Sequence, residues 1–174
     1  MTEISNTEFG GERPLFASRD VHLDKVTIHA GESALKECSR IVATDCRFEG
    51  KYPFWHVDGF TIKNCLFTEG ARAALWYSRN LMMTDTRIEA PKMFREMESI
   101  CLENVQIPDA QETLWHCRNV RLKEVQVDQA DYLFMHSEDI RIEHYVQHGN
   151  YSFQYCRNVE IHHAVIHSKD AFWK

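Results

Sequence analysis

The sequence has few of the residues that interrupt regular structure, with 7 glycines and 4 prolines among 174 residues. It contains no glycine-rich phosphate loop, no serine nucleophile elbow and no Cys-x-x-Cys pair, so the enzyme classes that those motifs mark are not indicated. No apolar run approaches membrane-spanning length, and we expect no membrane partner. The opening residues MTEISNTEFG lack the basic and then apolar order of a signal peptide, so we expect a cytoplasmic protein.

The sequence also has fewer basic than acidic residues, with 20 Lys and Arg against 26 Asp and Glu and a formal net charge of −6. A protein that binds a phosphate backbone usually carries a basic stripe, and none is visible in this sequence. We therefore expect no nucleic-acid partner.

What the sequence does contain is one short unit, repeated along almost the whole chain. Its reference position is an apolar residue that recurs every 19–21 residues. The reference residues are Val21, Ile41, Phe60, Leu81, Ile100, Val120, Ile140 and Val159. A repeat of this period is typical of a solenoid, in which each unit packs only against its neighbours.

Each unit shows the same internal pattern. In the unit of Leu81, inward positions fall at Leu75, Met83, Thr86 and Ile88, and polar residues alternate with the last three. This alternation is the period of a strand with one buried face. Asn, Asp or Gly often stands one position before the reference residue or four positions after it, where these residues favour tight bends.

The pattern predicts an all-β fold, a single right-handed parallel β-helix of about eight rungs with three short strands each. We expect one domain, in which residues 1–13 form an N-terminal cap, residues 14–170 form the rungs and residues 171–174 begin an incomplete rung. A leucine-rich repeat is the main alternative, but its returning helical segment has no counterpart here. An uncovered C-terminal end would favour end-to-end association into a homo-oligomer.

The cysteines fit this arrangement as small core residues. Cys46 and Cys65 share one inward column, Cys38, Cys117 and Cys156 share another, and Cys101 stands on a polar position. We expect free thiols that fill a narrow core, because nothing in the sequence indicates an oxidising compartment.

Several blocks of the sequence resemble a bacterial family. The blocks are GERPLFASRDV (11–21), GESALKE (31–37), YPFWH (52–56), RAALWYS (72–78), YSFQY (151–155) and KDAFWK (169–174). They are similar to domain of unknown function 3737, a group of right-handed, pectin-lyase-like β-helices. The resemblance implies the fold and implies further rungs after the KDAFWK block, where this sequence stops. It implies no activity, because none is established for the family.

Two adjacent columns contain most of the candidate binding and catalytic residues. The tryptophan column, five positions before the reference residue, contains Phe16, Lys36, Trp55, Trp76, Arg95, Trp115, Met135, Gln154 and Trp173. The histidine column, four positions before it, contains Ala17, Glu37, His56, Tyr77, Glu96, His116, His136 and Tyr155. Strict alternation would bury the histidine column, and burying Glu37 and Glu96 without partners would be costly. We therefore expect the chain to bend there and leave this column at least partly accessible.

Two interpretations of these columns stay open. The aromatic rings either bind a saccharide or another small ligand, or only stabilise the sheet as stacked cross-rung pairs. The candidate ligand-binding residues are Trp55, His56, Trp76, Tyr77, Trp115, His116, His136 and Tyr155. Our leading hypothesis is a non-catalytic binding or scaffold protein. The alternative is a carbohydrate-active lyase or hydrolase with Glu96, His116 and His136 as acid and base, and a self-assembling structural protein is the third.

Histidine pairs late in the sequence are candidate metal ligands. His144 and His163 share one column, and His148 and His167 share another. Equivalent residues on adjacent rungs lie within about 5 Å of each other, which is close enough for two imidazoles to share a metal ion. Exposed polar positions also accommodate histidine, and none of these pairs has the spacing of a zinc motif, so we predict no cofactor.

Overall fold

The computed structural model describes residues 1–173, which contain β-strands and turns but no helix. The strands are β1 (Thr2–Ser5), β2 (Glu8–Glu12), β3 (Arg19–Asp24), β4 (Thr27–Glu32), β5 (Ser39–Thr44), β6 (Arg47–Phe48), β7 (Asp58–Lys63), β8 (Leu66–Phe67), β9 (Arg79–Ile88), β10 (Glu98–Ile107), β11 (Arg118–Val127), β12 (Glu138–His148) and β13 (Arg157–His167). This part of the chain contains no helix that is long and apolar enough to cross a membrane. The predicted all-β solenoid of about eight turns is confirmed.

The reference residues of the repeat form one column across a parallel sheet. Val21 pairs with Ile41, and Ile41 pairs in turn with Phe60. The same register continues from Leu81 to Ile100 and through the later rungs to Val159. Each step therefore places equivalent side chains about 4.8 Å apart, so the columns read from the sequence are real neighbours in space.

The strands within a rung differ from the three that we predicted. Early rungs contain two short strands, such as β3 and β4, whereas β9 to β13 are single strands of 10 or 11 residues. The remaining predicted strand, around Leu15 and Leu35, is a turn. Both leucines are nevertheless buried. An isolated inward residue in a turn gives the same apolar signal as a strand residue, which explains the error.

The segment that we expected to form an N-terminal cap is itself built as a rung. Thr2 of β1 pairs with Val21, and Phe9 of β2 pairs with Ile28. At the other end, Phe172 stacks on Phe153 with 4.7 Å between ring centroids, as expected for residues that begin a further rung. Lys174, the last residue of that predicted rung, lies outside the described residues.

The core is a continuous apolar cluster that runs along the solenoid axis. Aromatic rings stack within it, for example Phe48 on Phe67 at 4.8 Å between centroids. All six cysteines are free thiols, as predicted. The rungs turn at residues with positive φ, such as Asn80 and Asp85, and these residue types adopt the left-handed region more readily than most.

Candidate functional site

The histidine column faces solvent because the backbone bends at every one of its positions. Positive φ values are found at Ala17, Glu37, His56, Tyr77, Glu96, His116, His136 and Tyr155. All of these side chains are exposed. A left-handed residue breaks the in–out alternation of a strand, so the column turns outward although parity alone would bury it. The predicted bend is confirmed.

The middle of the tryptophan column, from Trp55 to Trp115, forms a continuous stack. The rings of Trp55 and Trp76 are parallel within 9° and 5.5 Å apart. The guanidinium of Arg95 then lies between two indoles, with Cζ 4.7 Å from the ring centroid of Trp76 and 4.1 Å from that of Trp115. Both faces of Trp76 are therefore covered by groups of the same chain, and a sugar ring cannot stack on them in this arrangement.

The polar edges of these rings are also engaged within the chain. The indole N–H groups of Trp55 and Trp76 donate to the carbonyls of Ala73 and Lys92, each over 2.7 Å. Trp115 donates in the same way to a carbonyl of the following rung, over 2.6 Å. Each half-buried tryptophan is thus fixed by packing and by a hydrogen bond, which are the contacts expected of a structural ladder. The ligand-binding role of the tryptophans stays a prediction.

The histidine column contains its own ring stacks, but their edges point to water. His116 and His136 are parallel within 4° at 5.0 Å between centroids, and His136 and Tyr155 within 5° at 4.6 Å. A second stack, His56 on Tyr77, lies on earlier rungs at 5.1 Å. The exposed edges carry the imidazole nitrogens and the phenol hydroxyl, which both donate and accept hydrogen bonds.

A column of alternating charge runs beside the histidine column. This charged column, two positions before the reference residue, contains Arg19, Ser39, Asp58, Arg79, Glu98, Arg118, Glu138 and Arg157. In the later rungs its members form ion pairs between neighbours. Arg118 Nη2 lies 2.9 Å from Glu98 Oε1, and Arg157 Nη2 lies 2.6 Å from Glu138 Oε2.

A groove of about 530 Å³ lies between the histidine column and the charged column. Its first rim is formed by Glu96, His116, His136 and Tyr155. Its second rim is formed by Glu98, Arg118, Glu138 and Arg157, and its floor by Met97, Cys117 and Ser137. Burial raises the pKa of the Cys117 thiol to about 12, so the floor of the groove offers no thiolate near neutral pH.

The groove brings together the three residues that we considered as acid and base. Glu96, His116 and His136 follow one another along a single rim, each on its own rung. The structure adds the charged column, which was not predicted from the sequence. The sequence contains the pattern, because acidic and basic residues alternate at this position in six successive repeats, from Asp58 to Arg157.

The late histidine pairs are neighbours, as the repeat predicted, but their geometry does not favour a shared metal ion. His144 and His163 are 5.1 Å apart and parallel within 10°, and His148 and His167 are 5.0 Å apart and parallel within 4°. The lone pairs of ring nitrogens lie in the ring planes, so the lone pairs of two stacked, parallel rings do not converge on one ion. His148 Nδ1 instead lies 3.0 Å from Asp128 Oδ1. Across residues 1–173, no three His, Cys, Asp or Glu side chains are grouped to hold a metal ion.

Comparison with known proteins identifies a family but no activity. No curated protein matches the sequence. A solved structure of trypsin-treated QnrB1, a plasmid-mediated fluoroquinolone resistance protein, is 10% identical and aligns over 90% of this chain and 91% of that chain with a TM-score of 0.24. A likeness at this score says nothing about function. Residues 2–174 match the sequence profile of the family described as protein of unknown function (DUF3737), and the chain therefore belongs to that family.

Proposed function

We propose that the protein is a non-catalytic binding protein that holds an extended saccharide in the groove between the histidine and charged columns. The observation that carries this proposal is the exposed rim of Glu96, His116, His136 and Tyr155, which faces a parallel rim of ionic side chains across a closed floor. The groove crosses four successive rungs, so it is elongated along the solenoid axis.

The chemistry of the rims suits a ligand that is rich in hydroxyl groups. Carboxylates accept hydrogen bonds, guanidinium groups donate them, and imidazole and phenol groups do both. The rung repeat of about 4.8 Å presents these groups at regular intervals. A chain of sugar units offers a matching series of hydroxyls, whereas an apolar ligand would leave the rims without partners.

The side chains of the groove are held in place before any ligand arrives. Ring stacking orients His116, His136 and Tyr155, and ion pairs orient Arg118 and Arg157. A ligand that meets fixed partners loses less side-chain entropy on binding. This arrangement supports binding through the edges of the rings in the histidine column, since both faces of Trp76 are covered by Trp55 and Arg95.

The experiment is a thermal-shift screen of neutral and charged oligosaccharides, followed by calorimetric titration of each hit. A ligand at 100 times its Kd adds about 2.7 kcal/mol, which for this chain length raises Tm by about 5–10 °C. His136→Ala should weaken binding. The control is His144→Ala, which removes an exposed imidazole from a stacked pair outside the groove. Absence of any saccharide hit, or equal loss of binding in both variants, would contradict the proposal.

The alternative function is a carbohydrate-active enzyme that uses the same groove. It is favoured by one observation, the presence of Glu96 and His116 on adjacent rungs of one rim. An assay for newly formed sugar ends, run with each saccharide that binds, distinguishes the two functions. Turnover by the wild-type protein that is lost in Glu96→Gln would favour the enzyme, while binding without turnover supports our proposal.

A further inference from the structure

We infer that the ligand of the groove is a cationic saccharide, an oligomer of amino sugars, whose ammonium group pairs with Glu96. This inference rests on the proposed binding function of the groove and adds the chemical class of its ligand. It comes from the balance of charges along the two rims.

The positive charges of the groove are already neutralised. Arg118 is paired with Glu98 at 2.9 Å, and Arg157 with Glu138 at 2.6 Å. Each pair brings one positive and one negative charge, so the charged column adds no net charge to this part of the groove. An anionic sugar would have to compete with a carboxylate of the chain for each guanidinium.

Glu96 is the one carboxylate of the groove that is not part of an ion pair within residues 1–173. Within residues 1–173 its exposed side chain takes part in no ion pair and no side-chain hydrogen bond. Its neighbours in the histidine column are Tyr77 and His116, neither of which carries a permanent charge. Glu96 therefore leaves one uncompensated negative charge at one end of the groove.

The nearest cation along the chain is held on a different surface. Arg95 lies between the rings of Trp76 and Trp115, and its Nη2 lies 3.3 Å from Glu112 Oε2. Because Arg95 is held in the tryptophan column by these contacts, it would have to leave the stack to pair with Glu96. The formal charge of −6 over the whole chain also favours the approach of a cation.

These charges divide the groove into two kinds of contact. The carboxylate of Glu96 suits an ammonium group, while the ring edges of His116, His136 and Tyr155 suit the hydroxyls of the following sugar units. A uronic acid oligomer, which carries a carboxylate on every unit, is disfavoured by the same charge of Glu96.

The test is calorimetric titration with three oligomers of equal length, made of glucosamine, N-acetylglucosamine and galacturonic acid. Acetylation removes the positive charge and retains the ring hydroxyls, so it isolates the contribution of the ammonium group. For an exposed ion pair we expect the glucosamine oligomer to bind about two- to five-fold more tightly than the acetylated one, with an advantage that shrinks as salt is added.

Two variants assign that advantage to one carboxylate. Glu96→Gln should abolish the preference for glucosamine, whereas Glu103→Gln, which removes an exposed carboxylate of β10 outside the groove, should keep it. Equal binding of the cationic and the acetylated oligomer, a preference that survives in Glu96→Gln, or tightest binding of the galacturonic acid oligomer would each overturn the inference. In those cases the groove would still bind saccharides. Failure of all three oligomers to bind would also overturn the inference, while absence of any hit in the wider oligosaccharide screen would overturn the proposed function itself.

Discussion

The guanidinium of Arg95 lies over the indole of Trp115, with Cζ 4.1 Å from the ring centroid, and over the indole of Trp76, with Cζ 4.7 Å from that centroid. One arginine thus takes the place of a ring in an aromatic ladder and joins tryptophans that are two rungs apart. Cation–π contacts contribute about 0.5–2 kcal/mol each, depending on how far they are removed from water. This ladder stabilises the middle of the solenoid.

Arg95→Met tests that role. The substitution keeps a long apolar side chain but removes the cation and its hydrogen bond to Glu112, so we expect the free energy of unfolding to fall by about 1–2 kcal/mol. Arg121→Met, at an exposed position of β11, should change it by less than about 0.5 kcal/mol. Urea denaturation of both variants measures the difference, and similar losses would show that the stack contributes nothing specific.

A second prediction concerns the close approach of glycines on neighbouring rungs. A Cβ added at Gly31 would lie 2.2 Å from the carbonyl oxygen of Gly11, a backbone atom that cannot rotate away. Gly31→Ala should therefore lower the free energy of unfolding by about 1–3 kcal/mol. Gly10→Ala is the matched control, because its nearest neighbour would be His29 Cβ at 3.9 Å. Chemical denaturation should find the control close to wild type; a tolerated Gly31→Ala would mean that the rungs can separate locally at little cost.

A third prediction concerns the six free thiols. Burial raises the pKa of Cys38 and of Cys156 to about 11, so both are protonated at neutral pH. Cys101 lies on the outer side of β10 and is partly exposed. Under native conditions an alkylating reagent should label Cys101 first, and peptide mass spectrometry locates the label. Faster labelling of Cys38 or Cys117 would contradict the packing described for the core.

A fourth prediction follows from Asp58 in the charged column. Its carboxylate accepts hydrogen bonds from Arg79 Nη2 and Asn80 Nδ2, both over 2.8 Å, and these hold its pKa below the usual range. Because the pKa is lower in the folded state, the carboxylate adds stability above its unfolded pKa of about 4, and this contribution is lost as pH falls through the folded value. Asp58→Asn should therefore be less stable than wild type near neutral pH, and the gap should close towards lower pH.

Denaturation curves recorded from neutral to acidic pH measure the difference in free energy of unfolding between wild type and Asp58→Asn. Glu103→Gln serves as the control, since it removes a carboxylate that forms no ion pair within the described part of the chain. A difference between wild type and Asp58→Asn that stays constant with pH would show that the hydrogen bonds do not depend on the charge of the carboxylate.

The repeat allowed the columns to be predicted from the sequence, because parallel rungs place residues of equal phase next to each other. The pairing of Leu81 with Ile100 and the close positions of His116 and His136 on neighbouring rungs follow from spacing alone. The outward turn of the histidine column was also predictable, since Glu96 could not be buried without a partner. The cytoplasmic location and the homo-oligomer remain predictions.

Other features depend on geometry that periodicity does not contain. The pattern could not distinguish a buried turn residue such as Leu35 from a strand residue, because both are apolar and inward. The first rung was missed because Thr2 occupies its reference position, where later rungs have an apolar residue. The closure of the tryptophan stack depends on side-chain rotamers and on indole hydrogen bonds such as that of Trp76 to Lys92, which spacing does not specify.

We propose that the tryptophan column is structural and that the groove beside the histidine column binds the ligand. Calorimetric titration of Trp76→Leu and His136→Ala in parallel, with the saccharide that binds most tightly and at a temperature where both variants are folded, separates these two roles. We predict that Trp76→Leu lowers Tm and binds within about two-fold of wild type, whereas folded His136→Ala binds about ten-fold more weakly than wild type. Loss of binding in folded Trp76→Leu, together with normal binding by His136→Ala, would contradict the claim.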